Sequence, residues 1–499
     1  MTITHRILPD TAHVGLADYI TAGGGAGLRA ARVADPSDVI DELAAAGLRG
    51  RGGAGFPTAT KWRTVRSFAS PLLHTSVVVN AAEGEPGTFK DRAILRANPY
   101  AVLEGALIAA HVVDARSIIV ATKMTFVAEI ERVRAAIDEM RAAGWCDGVV
   151  IDVVEGPSAY LFGEETALLE VIDGRPPFPR IAPPFRRGVV EVVTSRADAA
   201  FPTGQAASVQ MAELDEQSVA PPVLVNNAET LANVPGIVAN GAEWFRSIGT
   251  ESSPGSVVCT VTGAVQRPTV VEVAMGTTLE DLLALAGGIA AGVSIRMVLV
   301  GVSGAIVTPD LLATPLTYEA MAAIGSGLGS AGFIVVGTDV GVVGVAAGVS
   351  RFLAVESCGQ CTPCKQDGAE LSELLGRLSD GNGDDADLVQ VRRRLGTVAD
   401  GARCALASQQ RDVVGSILDA FDRLVVARVA PGAPVEERYL VAPLLDVAAD
   451  GALIDLAVAD KNLDWTTGAA DSGRTPVDHW SPQRVAISVS PSETADEPA

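Results

Sequence analysis

Hydrophobic positions change their period several times along this 499-residue chain. Short β-branched runs at Val77–Val79 and Ser117–Val120 predict buried strands, and Val149–Val154 predicts a third. Pro99–Val113 and Thr125–Ala143 have the period and composition of helices. Strands alternating with helices of this length predict a parallel sheet covered on both faces. Upstream, Pro36–Ala46 predicts a short helix, with Ser37 as its cap and Gly47 as its stop. Residues 196–221 are polar and irregular, which predicts a surface excursion. From about residue 254 the texture changes. Val257–Gly263, Thr269–Val273 and Met297–Gly301 predict strands, with a helix from near Thr278 to Gly287–Gly288 between the last two. That is the pattern of a small α+β module.

Residues 331–350 are nearly uncharged and long enough to span a bilayer. Five glycines and a central Asp339 argue against it, because a carboxylate in lipid is costly. The expectation is a strand, Phe333–Val336, a turn at Gly337–Thr338–Asp339, and then a helix start. Beyond about residue 340 the chain turns helical, and the last ten residues are acidic and rich in Pro and Ser, which predicts disorder. The organisation expected is a leader at 1–47, domains at 48–253, 254–338 and 339–430, and an extension at 431–499.

Composition narrows the function. A hydrophobic share of 48% against 20% charged residues excludes a disordered protein. The formal net charge of −22 argues against nucleic acid or an anionic membrane as partner. Six cysteines are too few for a disulfide-built scaffold, and the N-terminus shows no basic stretch followed by an apolar one. A reduced cytoplasmic compartment is expected, where clustered cysteines more often bind metal.

Four of the six cysteines are clustered. Cys358, Cys361 and Cys364 form a C-x2-C-x2-C run, and Cys404 follows forty residues later. Two-residue spacers let three thiolates from one turn converge, and a remote cysteine closes the fourth corner, as a cubane [4Fe–4S] cluster requires. Zinc is the competing metal, although structural zinc sites more often use two separate C-x2-C pairs. Cys146 and Cys259 stand alone and read as small buried hydrophobes.

Four further segments carry candidate binding chemistry. In GLRGRGGAGFPTATKW (47–62), glycines at 50, 52, 53 and 55 let the backbone approach a ligand and aim N–H groups at an anion. Arg51 and Lys61 add charge there, and Phe56 offers a stacking surface. The loop lacks the Lys-Ser/Thr ending of a Walker motif. NAAEGEPGTFKDR (80–92) follows a strand, so Asn80, Glu83 and Glu85 fall at a strand's carboxyl end, where open α/β sheets bind ligands. In GPSAYLFGEETALLE (156–170), Tyr160, Gly163, Glu164 and Glu165 precede a helix whose first N–H groups could face a ligand. VNNAETLANVP (225–235) places Asn226 and Asn227 after an apolar run, and paired amides can both donate and accept.

Taken in order, these segments with PRIAPPF and ESCGQCTPC resemble the flavin-bearing electron-input subunit, the F subunit, of bacterial NADH:quinone oxidoreductase, respiratory complex I. Diaphorase subunits of NAD-reducing hydrogenases and β subunits of NAD-dependent formate dehydrogenases belong to the same family. The resemblance spans residues 45 to about 425. It implies an α/β fold with a Rossmann-like FMN domain, a ubiquitin-like β-grasp module of the soluble-ligand-binding (SLBB) type, and a C-terminal helical bundle holding a [4Fe–4S] cluster. By motif, FMN contacts would be Gly50, Arg51, Gly52, Lys61, Asn80, Glu83, Tyr160, Gly163, Glu164, Asn226, Asn227 and Thr230. Phe56, Glu85, Glu165 and Phe185 would line the nicotinamide side, and Cys358, Cys361, Cys364 and Cys404 would hold the cluster. Glu85 and Glu165 would repel the extra phosphate of NADPH and favour NADH. The implied partners are a thioredoxin-like [2Fe–2S] subunit and a larger iron–sulfur or dehydrogenase subunit, on the peripheral arm of a membrane complex or in the cytoplasm.

The sequence also departs from the family pattern. Ala82 stands where the family reads Asp, and Ala182 where it reads Lys. Thr64 replaces an aromatic, Gly156–Pro157–Ser158–Ala159–Tyr160 replaces Gly-Ala-Gly-Ala-Tyr, and Ala405–Leu406 replaces Pro-Leu. The leading expectation is hydride transfer from NADH to FMN and single-electron transfer to the cluster. The alternative is an FMN/[4Fe–4S] electron-transfer module that no longer uses NADH and takes electrons from another donor.

Overall fold

The structure, a computed structural model, describes residues 3–69, 74–180, 222–430, 432–448 and 450–462. Phe185, Ala182, the stretch 196–221 and the acidic end of the chain lie outside these residues.

Four parallel strands form the first sheet: β1 (Thr75–Ala81), β2 (Ala115–Lys123), β3 (Val150–Gly156) and β4 (Val223–Asn227), in the order β3-β2-β1-β4. Its central strands are buried on both sides, which is why they read as unbroken β-branched runs. Helices Pro99–Val112 and Ala228–Asn240 cover one face, while Glu165–Ile172 packs on the other through Leu168, Leu169 and Val171. A methyl at Gly105 would run into the Leu231 carbonyl, so glycine lets the first two helices lie close together. Before the sheet, helix Pro36–Ala46 ends at Gly47 with a φ of 71°. Its cap is Asp35 and not Ser37 as expected. Pro36 occupies the first helical position, and the Asp35 carboxylate accepts from the Ser37 N–H at 2.8 Å. Two further helices, Leu16–Thr21 and Ala26–Val33, precede it, and Leu16, Tyr19 and Leu28 enter the same core as Val77 and Ile118.

The second sheet contains β5 (Ser256–Gly263), β6 (Thr269–Ala274), β7 (Ile295–Val300), β8 (Gly304–Val307) and β9 (Gly332–Gly337), ordered β6-β5-β9-β7-β8. β5 and β9 run parallel and the other pairs antiparallel, with helix Leu279–Leu285 packed across one face. This is a β-grasp arrangement. The apolar stretch 331–350 divides between β9 and helix Val342–Glu356, and no helix among the described residues is long and apolar enough to cross a membrane.

Helices Val342–Glu356, Thr362–Ser379 and Asp385–Leu395, followed by shorter ones, make the C-terminal bundle. Its core takes Leu161 from the first unit and Met297, Leu299 and Ile334 from the second, so the three units share buried surface. A strap then runs back over them. The Glu436 carboxylate accepts from the Val343 and Gly344 N–H groups and caps the bundle's first helix. A hairpin of β10 (Leu444–Ala448) and β11 (Gly451–Ile454) lies against the helix Lys90–Ala97, where Arg96 pairs with Asp446 at 2.8 Å.

Candidate functional site

The carboxyl ends of β1 and β4 open into a cavity of about 580 Å³ whose walls come from all three units. Strand register explains the floor. Asn80 on β1 lies beside Asn227 on β4, and both strands end there. The Asn80 Nδ2 donates to the Gly163 carbonyl at 2.8 Å, and its Oδ1 accepts from the Ala82 N–H. Asn226 Oδ1 accepts from the Trp62 Nε1 at 2.8 Å. Asn227 caps helix Ala228–Asn240 and donates to Asp91 at 2.6 Å.

The glycine loop forms one wall. It closes through the Gly50 N–H on the Phe56 carbonyl at 2.8 Å. Gly53 and Gly55 sit at φ of 126° and 61°, a region costly for other residues. A Cβ on Gly52 would lie 3.2 Å from the Asn227 Cβ, so the bare backbone is what leaves room at the floor. Phe56 is half-exposed at the mouth. Lys61 reaches Glu165 at 2.9 Å and the Val225 carbonyl at 3.1 Å.

Arg51 departs from its expected role. Its guanidinium turns away from the cavity and donates to the Ser256 and Pro254 carbonyls, the Arg49 carbonyl and the Tyr318 hydroxyl. Only its backbone N–H faces the site, donating to Thr230 Oγ1 at 2.8 Å. The side chain is therefore a strut between the first and second units. A second correction concerns the helix start after Tyr160. Glu164 is itself the cap of helix Glu165–Ile172, accepting from the Thr166 and Ala167 N–H groups, so these donors are already satisfied.

The acidic residues are also committed. Glu83 is buried and accepts from the Asp91 N–H at 3.0 Å and from Arg92 Nε at 3.1 Å. Burial pushes its carboxyl upward, with Asp91 adding to the effect. Glu85 accepts from the Tyr160 hydroxyl at 2.5 Å and from the Val302 N–H at 2.7 Å. Burial raises this carboxyl too. A buried, hydrogen-bonded Glu85 and a Glu165 paired with Lys61 are poor sources of the repulsion expected against a phosphate. Tyr160 accepts in turn from Gln409 Nε2 at 3.0 Å, and its backbone N–H donates to Glu356.

Several wall residues are not among those singled out from the sequence. Lys90, at 1% exposure, pairs with Asp91 and with Glu229. Burial alone would lower its ammonium, but Asp91, Glu229 and Glu83 outweigh it and raise the pKa. Ser303, Gly329 and Ser330 come from the second unit, and Gln409 and Asp412 from the third. Lys90 and Asp91 sit inside the motif 80–92 and were findable there; the rest are brought in by packing across more than two hundred residues.

Cys404 lies on the same wall. None of the four clustered cysteines forms a disulfide, and Cys358, Cys361, Cys364 and Cys404 lie close enough to act electrostatically on one another. Burial pushes the Cys364 thiol up to about 11 and Cys404 up to about 12. Thiolates in that setting need a cationic partner, which the irons of a cluster supply. The Arg403 N–H donates to Cys361 Sγ, and Ser357 Oγ lies 3.4 Å from Cys364 Sγ. Among the described residues no three His, Cys, Asp or Glu converge closely enough for one metal ion. The bystanders Cys146 and Cys259 are buried in the first and second units.

Comparison with known proteins matches three models in the same order. The "Nuo51 FMN-binding domain" matches residues 43–236, the SLBB domain 258–307, and the "NADH-ubiquinone oxidoreductase-F iron-sulfur binding region" 344–428. The chain is 34% identical over 423 residues to the F 2 subunit of NADH-quinone oxidoreductase of Rhizobium meliloti (strain 1021), covering 82% of this chain and 94% of that one. This chain belongs to the family of NADH-quinone oxidoreductase F subunits. A further relative is the NADP-reducing hydrogenase subunit HndC of Solidesulfovibrio fructosivorans, 33% identical over 81% of this chain and 78% of its own. Among solved structures, an NAD+-reducing [NiFe]-hydrogenase in the H2-reduced state superposes with a TM-score of 0.70. It is 29% identical and covers 86% of this chain and 69% of its own. Ala82, at the position where the resemblance leads one to expect a carboxylate, is buried on the cavity wall.

Proposed function

We propose that this chain is the electron-input subunit of a multi-subunit oxidoreductase, accepting hydride from NADH on FMN and passing single electrons through a [4Fe–4S] cluster to a partner. The observation that carries the proposal is Cys404 on the wall of the cavity framed by the glycine loop and the β1 and β4 ends. FMN held there would supply the exchange between a two-electron nicotinamide and a one-electron cluster. The residues of the chain position and enclose. Gly50 and Gly52 would let the flavin approach the backbone closely, and Lys61, Asn80, Gly163, Asn226, Asn227 and Thr230, which line the cavity, would hold its polar edges. Phe56 and Glu165 stand toward the nicotinamide side, and Cys358, Cys361, Cys364 and Cys404 hold the cluster. No protein nucleophile or general base is required. On this reading 48–253 is the FMN and NADH domain, 254–338 the β-grasp module with its linker, and 339–430 the cluster domain. The partners would be a thioredoxin-like [2Fe–2S] subunit and a larger iron–sulfur or dehydrogenase subunit, in the cytoplasm or on a membrane complex's peripheral arm.

The test is anaerobic purification, a visible spectrum and addition of NADH. Rapid bleaching of the flavin supports the reading. A flavin that dithionite reduces and NADH does not would favour the module that no longer uses NADH, for which Ala82 and Ala182 are the motivating residues. A chain without a yellow chromophore sinks both.

A further inference from the structure

Apart from Arg92, which pairs with Glu83, and Arg49, which pairs with Glu319, four cationic side chains stand at or behind the cavity wall, and three of these are already neutralised or turned away. Lys61 pairs with Glu165, Lys90 with Asp91 and Glu229, and the Arg51 guanidinium lies among carbonyls outside the cavity. The fourth is Lys123, the last residue of β2, where strand ends meet the site. It is 2% exposed and donates to the Ser158 carbonyl at 3.1 Å. No carboxylate comes within ion-pair distance of it among the described residues. A Cβ built on Gly84 would meet the Lys123 Nζ at 2.6 Å, and Gly84 lines the cavity. The ammonium is thus one glycine behind the wall, close against position 84.

We propose that Lys123 is an electrostatic positioning residue, whose buried ammonium behind Gly84 holds negative charge arriving on the bound flavin. This rests on the FMN reading above. An ammonium without a carboxylate beside it is costly to bury, and a fold that keeps one gains most when an anion comes into reach. The charged groups facing it are Glu356 and Lys461 from the bundle and strap, and Glu83 and Arg92 from the loop and helix after β1. The Tyr160 backbone lies on the same side, 3.6 Å from a Gly84 Cβ. Burial pushes the Lys123 pKa down to about 8, opposed first by Glu356, with Lys461 and Arg92 lowering it further and Glu83 opposing. Near neutral pH the charge is therefore present but weakly held.

The experiment measures the flavin midpoint potential against pH in the FMN-loaded full chain, comparing wild type, K123R and K123M. The expected result near pH 7 is a more negative potential in K123M, with K123R close to wild type. The gap between K123M and wild type should then close as pH rises through the Lys123 titration midpoint of the FMN-loaded chain. Coincident curves at every pH overturn the proposal and leave Lys123 as a tie between two loops. The chain has five lysines, so 13Cε-lysine labelling gives few signals and covers the case in which K123M loses its flavin. In the wild type, a Lys123 titration midpoint that rises on FMN loading supports the proposal, and one that does not move overturns it. A wild-type chain that binds no FMN overturns the functional reading as well, whereas bound FMN with coincident potentials overturns this inference alone.

Discussion

Replacing Lys90 by Met tests whether the cavity floor depends on a buried charge cluster. The Nζ lies 2.7 Å from Asp91 Oδ1 and 2.9 Å from Glu229 Oε2, in a side chain 1% exposed. The other Glu229 oxygen accepts from the Val258 N–H at 2.9 Å, so this carboxylate cannot swing out to water without losing β5. Met keeps the apolar stem and removes the cation, which leaves two carboxylates uncompensated. Breaking a buried pair in this way costs about 3–5 kcal/mol. That is a large share of the roughly 5–15 kcal/mol by which a domain is stable.

The pH dependence has a definite sign. The Lys90 pKa is raised in the fold, so its contribution is fully present below the ordinary lysine value and is lost only as pH rises through the raised one. Burial raises Glu229 even beside Lys90, and without the cation it rises further. A carboxyl raised in the fold binds a proton more readily there than in the unfolded chain, so acidification favours the folded variant. The gap between variant and wild type is therefore largest near pH 8 and narrows toward about pH 5. Urea unfolding followed by tryptophan fluorescence reads it, since Trp62 is fully buried and bonded to Asn226 in the site. The double variant K90M/E229Q should recover part of the loss. A gap under about 1 kcal/mol at pH 8, or one that widens on acidification, refutes the reasoning.

Four other outcomes are expected. Glu85→Gln should raise the thermal midpoint at pH 8 by an amount worth about 1 kcal/mol and leave it unchanged near pH 4, because burial makes the charged carboxylate a cost only above its ordinary pKa. Cys404→Ser should abolish the iron–sulfur absorption while flavin fluorescence after acid release remains, and loss of both together would contradict separate sites. Arg51→Met should destabilise the chain by about 2–3 kcal/mol, read by thermal unfolding, through the lost strut to Pro254, Ser256 and Tyr318. Deleting everything after residue 430 removes the Glu436 cap and the Lys461–Glu356 ion pair beside the cysteine loop, so iron content and melting temperature should both fall. The sequence alone, which assigns residues 431–499 no role, leads to the expectation that this truncation leaves cofactor content unchanged.

Secondary structure was legible where its cause is local. The β-branched runs at 77–79 and 117–120 sit in strands, and Gly47 ends its helix, because pleat packing and left-handed backbone are properties of single residues. The two early helices were not legible. Leu16–Thr21 and Ala26–Val33 are too short to hold themselves. They are fixed by Glu104, whose buried carboxylate accepts from the Tyr19 hydroxyl and from the Gly25 and Leu28 N–H groups. Strand β8 has four residues and exists by pairing with β7.

The same division runs through the site and has a mechanistic consequence. Residue type shows what Arg51, Lys61 or Glu85 can do, but what neutralises each of them is decided by chain far away. Arg51 is drawn off by residues 254, 256 and 318, and Tyr160 is held by Gln409 and by Glu356. The loops that would touch a flavin are therefore readable as motifs, whereas the charge that flavin would experience is not. The charge comes from whichever cation is left unpaired once three units have closed on one cavity, and among the described residues just behind the wall that is Lys123. It follows that substitutions in the β-grasp module or the strap should shift flavin behaviour without removing any flavin contact. Lys461 is the clearest case. Its ion pair with Glu356 also bears on Lys123, so K461M should move the flavin potential while flavin content stays constant. An unchanged potential in that variant would mean the strap serves stability alone.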